Sequence, residues 1–232
     1  MATKTLDRPV PATPGTRPAS RTSPKRERIS FAEYMERERS SDVKHDLVDG
    51  IMVPVWPTVD EEGNELAGAS TEHNTICGNL IIALGNALDD TGCRVLTSDQ
   101  KVYIRERLSY YPDVTVACGD LMVTIGEALQ NPVLIVEVLS PPMALKDRDT
   151  KFRDYRAIGS LRHYVLIDQY EPRLEHYERS PGEHWVLARE LNALADEWRF
   201  DLNGTQVAIP LAKVYRLVSF PPADPDEEIE TE

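Results

Sequence analysis

The sequence predicts an α/β fold, a central mixed β-sheet flanked by helices, and three observations carry that reading. Apolar residues repeat at spacings of three and four from Ile76 to Leu88, short β-rich runs recur on both sides of that segment, and residues 132–140, PVLIVEVLS, are apolar but for Glu137 and Ser140. A run of that composition reads as a central strand buried on both faces. Helices and strands alternating around such a strand make a layered α/β architecture in a single domain.

The elements follow in order. Ser30 with Glu33 is a capping box that opens a short helix through Phe31, Tyr34 and Met35. VKHDLV and IMVPVW are joined at Asp49–Gly50, a two-residue hairpin signal, and Pro54 places the second strand at an edge or ends it there. Residues 57–69 form a polar loop. Ser70 caps the next helix, which runs to about Asp90, with Gly78 and Gly85 marking close packing. CRVLTS, QKVYI and DVTVAC are short strands, PVLIVEVLS is the central one, and residues 145–159 form a charged helix interrupted by Gly159. HYVLID is a further strand, with LEHYER and HWVLAR as antiparallel additions; DLNG turns the chain into a last strand, TQVAIP, and a short helix at 211–216.

Composition bounds the function. The chain of 232 residues has 41% hydrophobic and 28% charged residues, ordinary for a globular protein. It contains no apolar run of membrane-spanning length and no apolar stretch after the basic N-terminus, so no membrane helix or secretory signal is expected. Cys77, Cys93 and Cys118 are odd in number and far apart, match no zinc-ligand spacing, and read as apolar fillers in a reducing, cytoplasmic setting. Residues 1–28 are Pro- and Thr-rich with net charge +5 and read as a disordered arm that either touches DNA phosphates or simply solubilises. Residues 221–232 carry −6 and read as a disordered acidic tail, leaving −12 on the folded part at 29–220. An acidic body argues against a broad basic nucleic-acid surface, yet suits carboxylates that collect a cation before phosphate arrives.

The chemistry centres on Glu137. A carboxylate inside a central strand is costly unless it is neutral, paired or metal-bound, although near the strand's end it can also reach solvent. Asp113, after Tyr110, Tyr111 and Pro112, starts a strand, and Pro-Asp by itself is an ordinary turn. Neighbouring strands that bring Asp113 and Glu137 to one end of the sheet make a hard-oxygen site for Mg²⁺, with Mn²⁺ as the alternative. In the following helix Asp147, Lys151 and Tyr155 are spaced by four and share a face. Lys151 either serves the reaction, positioning water or stabilising the transition state, or is a surface partner of Asp147. His73, in the first turn of its helix, either meets phosphate or a bound water or helps the cap, and Asp46 alternates with apolar residues toward the same edge. The five histidines form no H-E-x-x-H motif, and neither a G-x-S-x-G elbow nor a phosphate-binding Gly-rich loop occurs. Trp56, Trp185 and Trp198 read as core or dimer contacts rather than base-stacking platforms.

These segments together resemble the restriction-endonuclease-like family catalogued as domain of unknown function 820, within the PD-(D/E)xK nuclease superfamily, over residues 30–215. HDLVDG at 45–50 is similar to the family's opening hairpin, STEHNTICGNL at 70–80 to its histidine-containing helix, YYPD at 110–113 to the Pro-Asp element, and NPVLIVEVLSP at 131–141 to the segment with the catalytic Glu, here Glu137. The D-x₃-K-x₃-Y pattern becomes Asp147, Lys151 and Tyr155, and HYVLID at 163–168 is similar to the next strand. Leu139 stands where the superfamily usually has Lys, which makes Lys151 the substitute, and Asp46 stands where relatives usually carry Glu. The resemblance implies a restriction-endonuclease-like core, a divalent ion held by Asp113 and Glu137, a homodimer, and hydrolysis of DNA phosphodiesters. The alternatives are a catalytically inactive nuclease-fold binding or assembly protein and a hydrolase of small phosphoesters.

Overall fold

The computed structural model describes residues 27–56, 69–140 and 146–221, with the backbone alone at 146 and 147. The expected N-terminal arm up to residue 26, the polar loop up to residue 68 and the acidic tail beyond Pro221 lie outside the described residues.

Helix α1 (Phe31–Arg39) starts where the capping box places it: Ser30 Oγ accepts the Glu33 N–H at 3.2 Å, and Phe31, Tyr34 and Met35 are buried. Strands β1 (His45–Val48) and β2 (Ile51–Pro54) pair across a turn in which Asp49 and Gly50 both take positive φ, 50° and 82°. That is the two-residue turn whose twist matches the strands. A side chain at Gly50 would meet the Ile29 carbonyl at 3.0 Å, so the position needs glycine. β2 is an edge strand ending at Pro54, as expected. With β4 (Val102–Arg105) and β5 (Leu108–Tyr110) the hairpin makes an antiparallel sheet in the order β2-β1-β5-β4.

The main sheet has the order β10-β9-β8-β7-β6-β3 and is mixed. Only β7 (Leu134–Leu139) and β8 (His163–Asp168) run parallel; β3 (Cys93–Thr97), β6 (Val114–Cys118), β9 (Leu174–Arg179) and β10 (Trp185–Leu191) join antiparallel. Every residue of β7 is buried, as the apolar run requires. Leu134, Val136 and Val138 pack toward α2 (Thr71–Ala87), α4 (Leu211–Val214) and the hairpin of β11 (Glu197–Leu202) and β12 (Thr205–Pro210). Ile135 and Leu139 pack on the other face with Tyr110, Tyr155 and Tyr164. Among the described residues no helix is long and apolar enough to cross a membrane.

Three expectations need correction, and two strands are new. The charged helix over 145–159 is a π-helical turn, Lys146–Lys151, running into a single α-helical turn α3, Phe152–Tyr155. Cys93 and Cys118, directly opposed in the register of β3 and β6, form a disulfide, so only Cys77 is a free thiol. The filler reading failed because two cysteines 25 residues apart give no local sign of facing one another. An added Cβ at Gly78 or Gly85 would meet nothing within 4 Å, so neither glycine marks a close approach. Strands β5 and β11 come from segments whose sequence had not been singled out, the first only 3 residues long.

Candidate active site

The alternation of β7 sends Glu137 to the Tyr155 face, where it is 2% exposed. A carboxylate at that depth needs compensation. The Tyr155 hydroxyl donates to Oε1 at 3.0 Å, and Lys151 Nζ stands 3.0 Å from Oε2. Burial holds the Tyr155 phenol far above its usual pKa, so it remains a donor. Lys151, 5% exposed, leaves the end of the π-helical turn and Tyr155 the end of α3, so the two flank the carboxylate from one face. Lys151 is thus a buried group at Glu137 rather than a surface one; the Asp147 side chain lies outside the described residues.

Asp113 directly precedes β6. Extending the register Val114↔Val136 by one residue sets it across from Glu137. Its Oδ2 accepts the Val138 N–H at 2.7 Å and lies 3.2 Å from His73 Nε2. His73 is buried, its backbone N–H donates to Ser70 Oγ at 3.0 Å, and the Ser70 hydroxyl donates to Gln169 Oε1 at 2.6 Å. The N-terminus of α2 is thereby tied to the end of β8. His73 Nδ1 lies 3.6 Å from Cys77 Sγ, one helical turn on. An ionised Asp113 can only accept, so Nε2 carries the ring proton and Nδ1 accepts from the thiol. Burial pushes the Cys77 thiol up, which keeps it protonated.

The remaining residues hold this arrangement. Asp46, 1% exposed, accepts the Tyr111 N–H on Oδ1 at 3.0 Å, fixing the backbone two residues before Asp113. Tyr111 donates to Glu38 at 3.1 Å, Tyr110 to Asp154 at 2.7 Å, and the Trp56 ring stands edge-on to His73 at 5.1 Å. Sequence reasoning passed over Trp56, Tyr110, Tyr111, Cys77 and Gln169 as site residues. Only Cys77 had a local signal, its spacing of four from His73; the others come together through tertiary contacts. Trp56, His73, Tyr111, Asp113, Glu137 and Lys151 line a cavity of about 20 Å³. That is room for one small ion or water. Two carboxylates there are donors of the kind a hard divalent cation takes.

Among the described residues two groups bring three possible ligand atoms within 4.8 Å of one another: His73, Cys77 and Asp113 here, and His163, His176 and Glu178 elsewhere on the sheet.

Comparison with known proteins now decides the family. Residues 31–212 match the profile described as "Uma2: Putative restriction endonuclease". The chain belongs to the Uma2 family. This Uma2 chain is similar to two uncharacterized Synechocystis proteins: sll1609, 34% identical over 171 residues (72% of this chain and 90% of the relative), and slr1290, 28% identical over 194 residues (83% and 94%). In structure it is similar to "a putative nuclease belonging to DUF820" from Anabaena variabilis, with TM-score 0.59 and 11% identity, covering 81% of this chain and 97% of the other. At that identity the likeness speaks for the fold alone. The Uma2 chain has a PD-(D/E)xK-like nuclease fold, a restriction-endonuclease-like core with its mixed sheet between helices.

Proposed function

We propose that this Uma2 chain is a Mg²⁺- or Mn²⁺-dependent endonuclease that hydrolyses DNA phosphodiester bonds, with Asp113 and Glu137 as metal ligands and Lys151 as the third catalytic group. The observation that supports it most is the ammonium of Lys151 at 3.0 Å from Glu137 Oε2, the two lining one cavity with Asp113. In this reading the lysine missing from position 139 of the strand is replaced by Lys151 from the following helical turn.

A divalent cation on Asp113 and Glu137 would supply positive charge to the scissile phosphate and acidify a water. The chain's own groups do the rest. Lys151 orients the attacking water or offsets charge building on the phosphorus. Tyr155 fixes Glu137, while His73 and the Val138 N–H fix Asp113 through Oδ2, so that neither described bond uses Oδ1. Asp46 steadies the Tyr111–Asp113 segment. The same reading takes DNA as substrate, a homodimer as the working form and the cytoplasm as its place, a compartment in which the Cys93–Cys118 disulfide is unusual.

Glu137→Gln keeps an acceptor for Tyr155 but removes the charge. Metal-dependent cleavage of plasmid DNA should fall at least about 100-fold, the scale of losing one electrostatic element of a site, with an unchanged circular dichroism spectrum. Cleavage equal to wild type in a nuclease-free preparation would overturn the proposal. A non-catalytic binding or assembly protein is the second reading, favoured by the net charge of −13 and by Leu139 at the usual lysine position. It expects no calorimetric Mg²⁺ or Mn²⁺ binding that Asp113→Asn removes.

A further inference from the structure

His73 and Cys77 face each other from successive turns of α2, a geometry that a hard oxygen site does not need. Asp113 occupies the Nε2 side of the imidazole, which leaves Nδ1 free to turn to the sulfur 3.6 Å away. A tetrahedral zinc ion holding one nitrogen at about 2.05 Å and one thiolate at about 2.3 Å sets those two atoms about 3.6 Å apart. The helix already has the pair at the bite of such an ion. The carboxylate behind the other ring nitrogen is also what metal-binding histidines commonly have, since it fixes the tautomer and raises the basicity of the free nitrogen. Cys77 is half-buried rather than sealed.

We propose that His73 Nδ1 and Cys77 Sγ chelate a thiophilic divalent cation of the Zn²⁺ class, with Asp113 as the carboxylate behind the histidine and water completing the coordination. On binding, the thiol releases its proton to solvent and the sulfur coordinates as thiolate; His73 keeps its Nε2 proton on Asp113. The inference does not rest on the nuclease reading, because it uses the Nδ1 side of His73 and not the cavity in front of Glu137. It implies that a soft cation and a hard one draw on the same Asp113, one through the histidine and one directly.

Cobalt(II) is the probe, because a thiolate ligand gives it an intense near-ultraviolet charge-transfer band. With Cys93 and Cys118 joined in a disulfide, Cys77 is the one thiol free to produce that band. The full chain, first shown to contain one titratable thiol, is titrated with cobalt chloride. A band saturating near one equivalent, displaced by Zn²⁺ but not by millimolar Mg²⁺, is the expected result. Cys77→Ser should abolish the band, and Asp113→Asn should keep it with affinity about 10-fold weaker. Absence of the band in wild type, its persistence in Cys77→Ser, or displacement by Mg²⁺ would each overturn the proposal. Thermal melting of both variants establishes that they are folded when titrated.

Discussion

The molecule buries polar groups on both faces of its main sheet and solves the problem differently on each. On the Tyr155 face the groups are charged: Glu137 and Lys151 form a buried ion pair. On the opposite face, under the β11–β12 hairpin, the groups are neutral. Trp198 Nε1–H donates to His176 Nδ1 at 3.1 Å, which puts the His176 proton on Nε2, and that nitrogen stands 3.0 Å from His163 Nδ1. The relay runs in one direction, from Trp198 through His176 to His163. Although His163, His176 and Glu178 are close enough to be ligands, a cation there would have to displace the Trp198 bond or the His–His bond. One face is a finished neutral latch; the other maintains charge at a cavity. Desolvated charges are a poor way to gain stability, a cost that the proposed role of Glu137 would account for.

The largest effect that can break this contrast comes from removing one charge alone. Glu137→Ala leaves Lys151 without the carboxylate beside it and Tyr155 without an acceptor, and should cost about 3–5 kcal/mol by urea unfolding. Adding Lys151→Met should return a substantial part of that loss without restoring cleavage. If the double variant is as unstable as the sum of the singles, the pair is not coupled and the charged face has been misread.

The neutral face should reveal itself through pH. Burial lowers the His163 pKa from 6.5 to about 4 and that of His176 to about 2. Both histidines are therefore neutral in the folded chain wherever the unfolded chain begins to protonate. Above pH 6.5 they contribute no pH dependence; below it the unfolded state takes up protons that the folded state refuses, and stability falls with pH. By pH 5 the loss is about 2 kcal/mol for each histidine. Denaturant melts between pH 7 and 5 test this above most carboxylate titration. His176→Leu should halve the slope, at a cost of about 1–3 kcal/mol at pH 7 because Trp198 loses its acceptor. An unaltered slope would mean that these histidines titrate normally.

The two faces were unequally legible in the sequence. Glu137 stood out because one charge in an apolar run has few explanations. Asp113 gained meaning once β6 and β7 paired, and Tyr155 and Lys151 stayed four apart on one face even though the helix expected there is mostly a π-helical turn. The register of backbone hydrogen bonds that makes such a turn leaves no residue pattern to read. Nothing local marked the relay: His163, His176 and Trp198 lie on three separate strands and meet only after the β11–β12 hairpin folds onto the sheet. The Cys93–Cys118 pairing was hidden for the same reason, since it needs the register of β3 against β6. Strands with clean alternation, and turns such as Asp49–Gly50, carry their instructions locally and were placed accordingly.

Ser70 offers the smallest and most discriminating test of how the Asp113 end of the site is held. Its Oγ accepts the His73 N–H while its hydroxyl donates to Gln169, so one atom both caps α2 and anchors the helix to β8. A plain N-cap lost to alanine costs about 1 kcal/mol. If Ser70 only caps, Ser70→Ala should lower stability by that amount and leave divalent-ion affinity alone. The Asp113–His73 contact at 3.2 Å makes a different expectation. Loosening the first turn of α2 shifts the imidazole that Asp113 leans on, so Mn²⁺ binding by calorimetry should weaken by several-fold in the same variant. Ser70→Thr, which keeps the hydroxyl, should recover both; recovery of stability without recovery of affinity would separate the cap from the site.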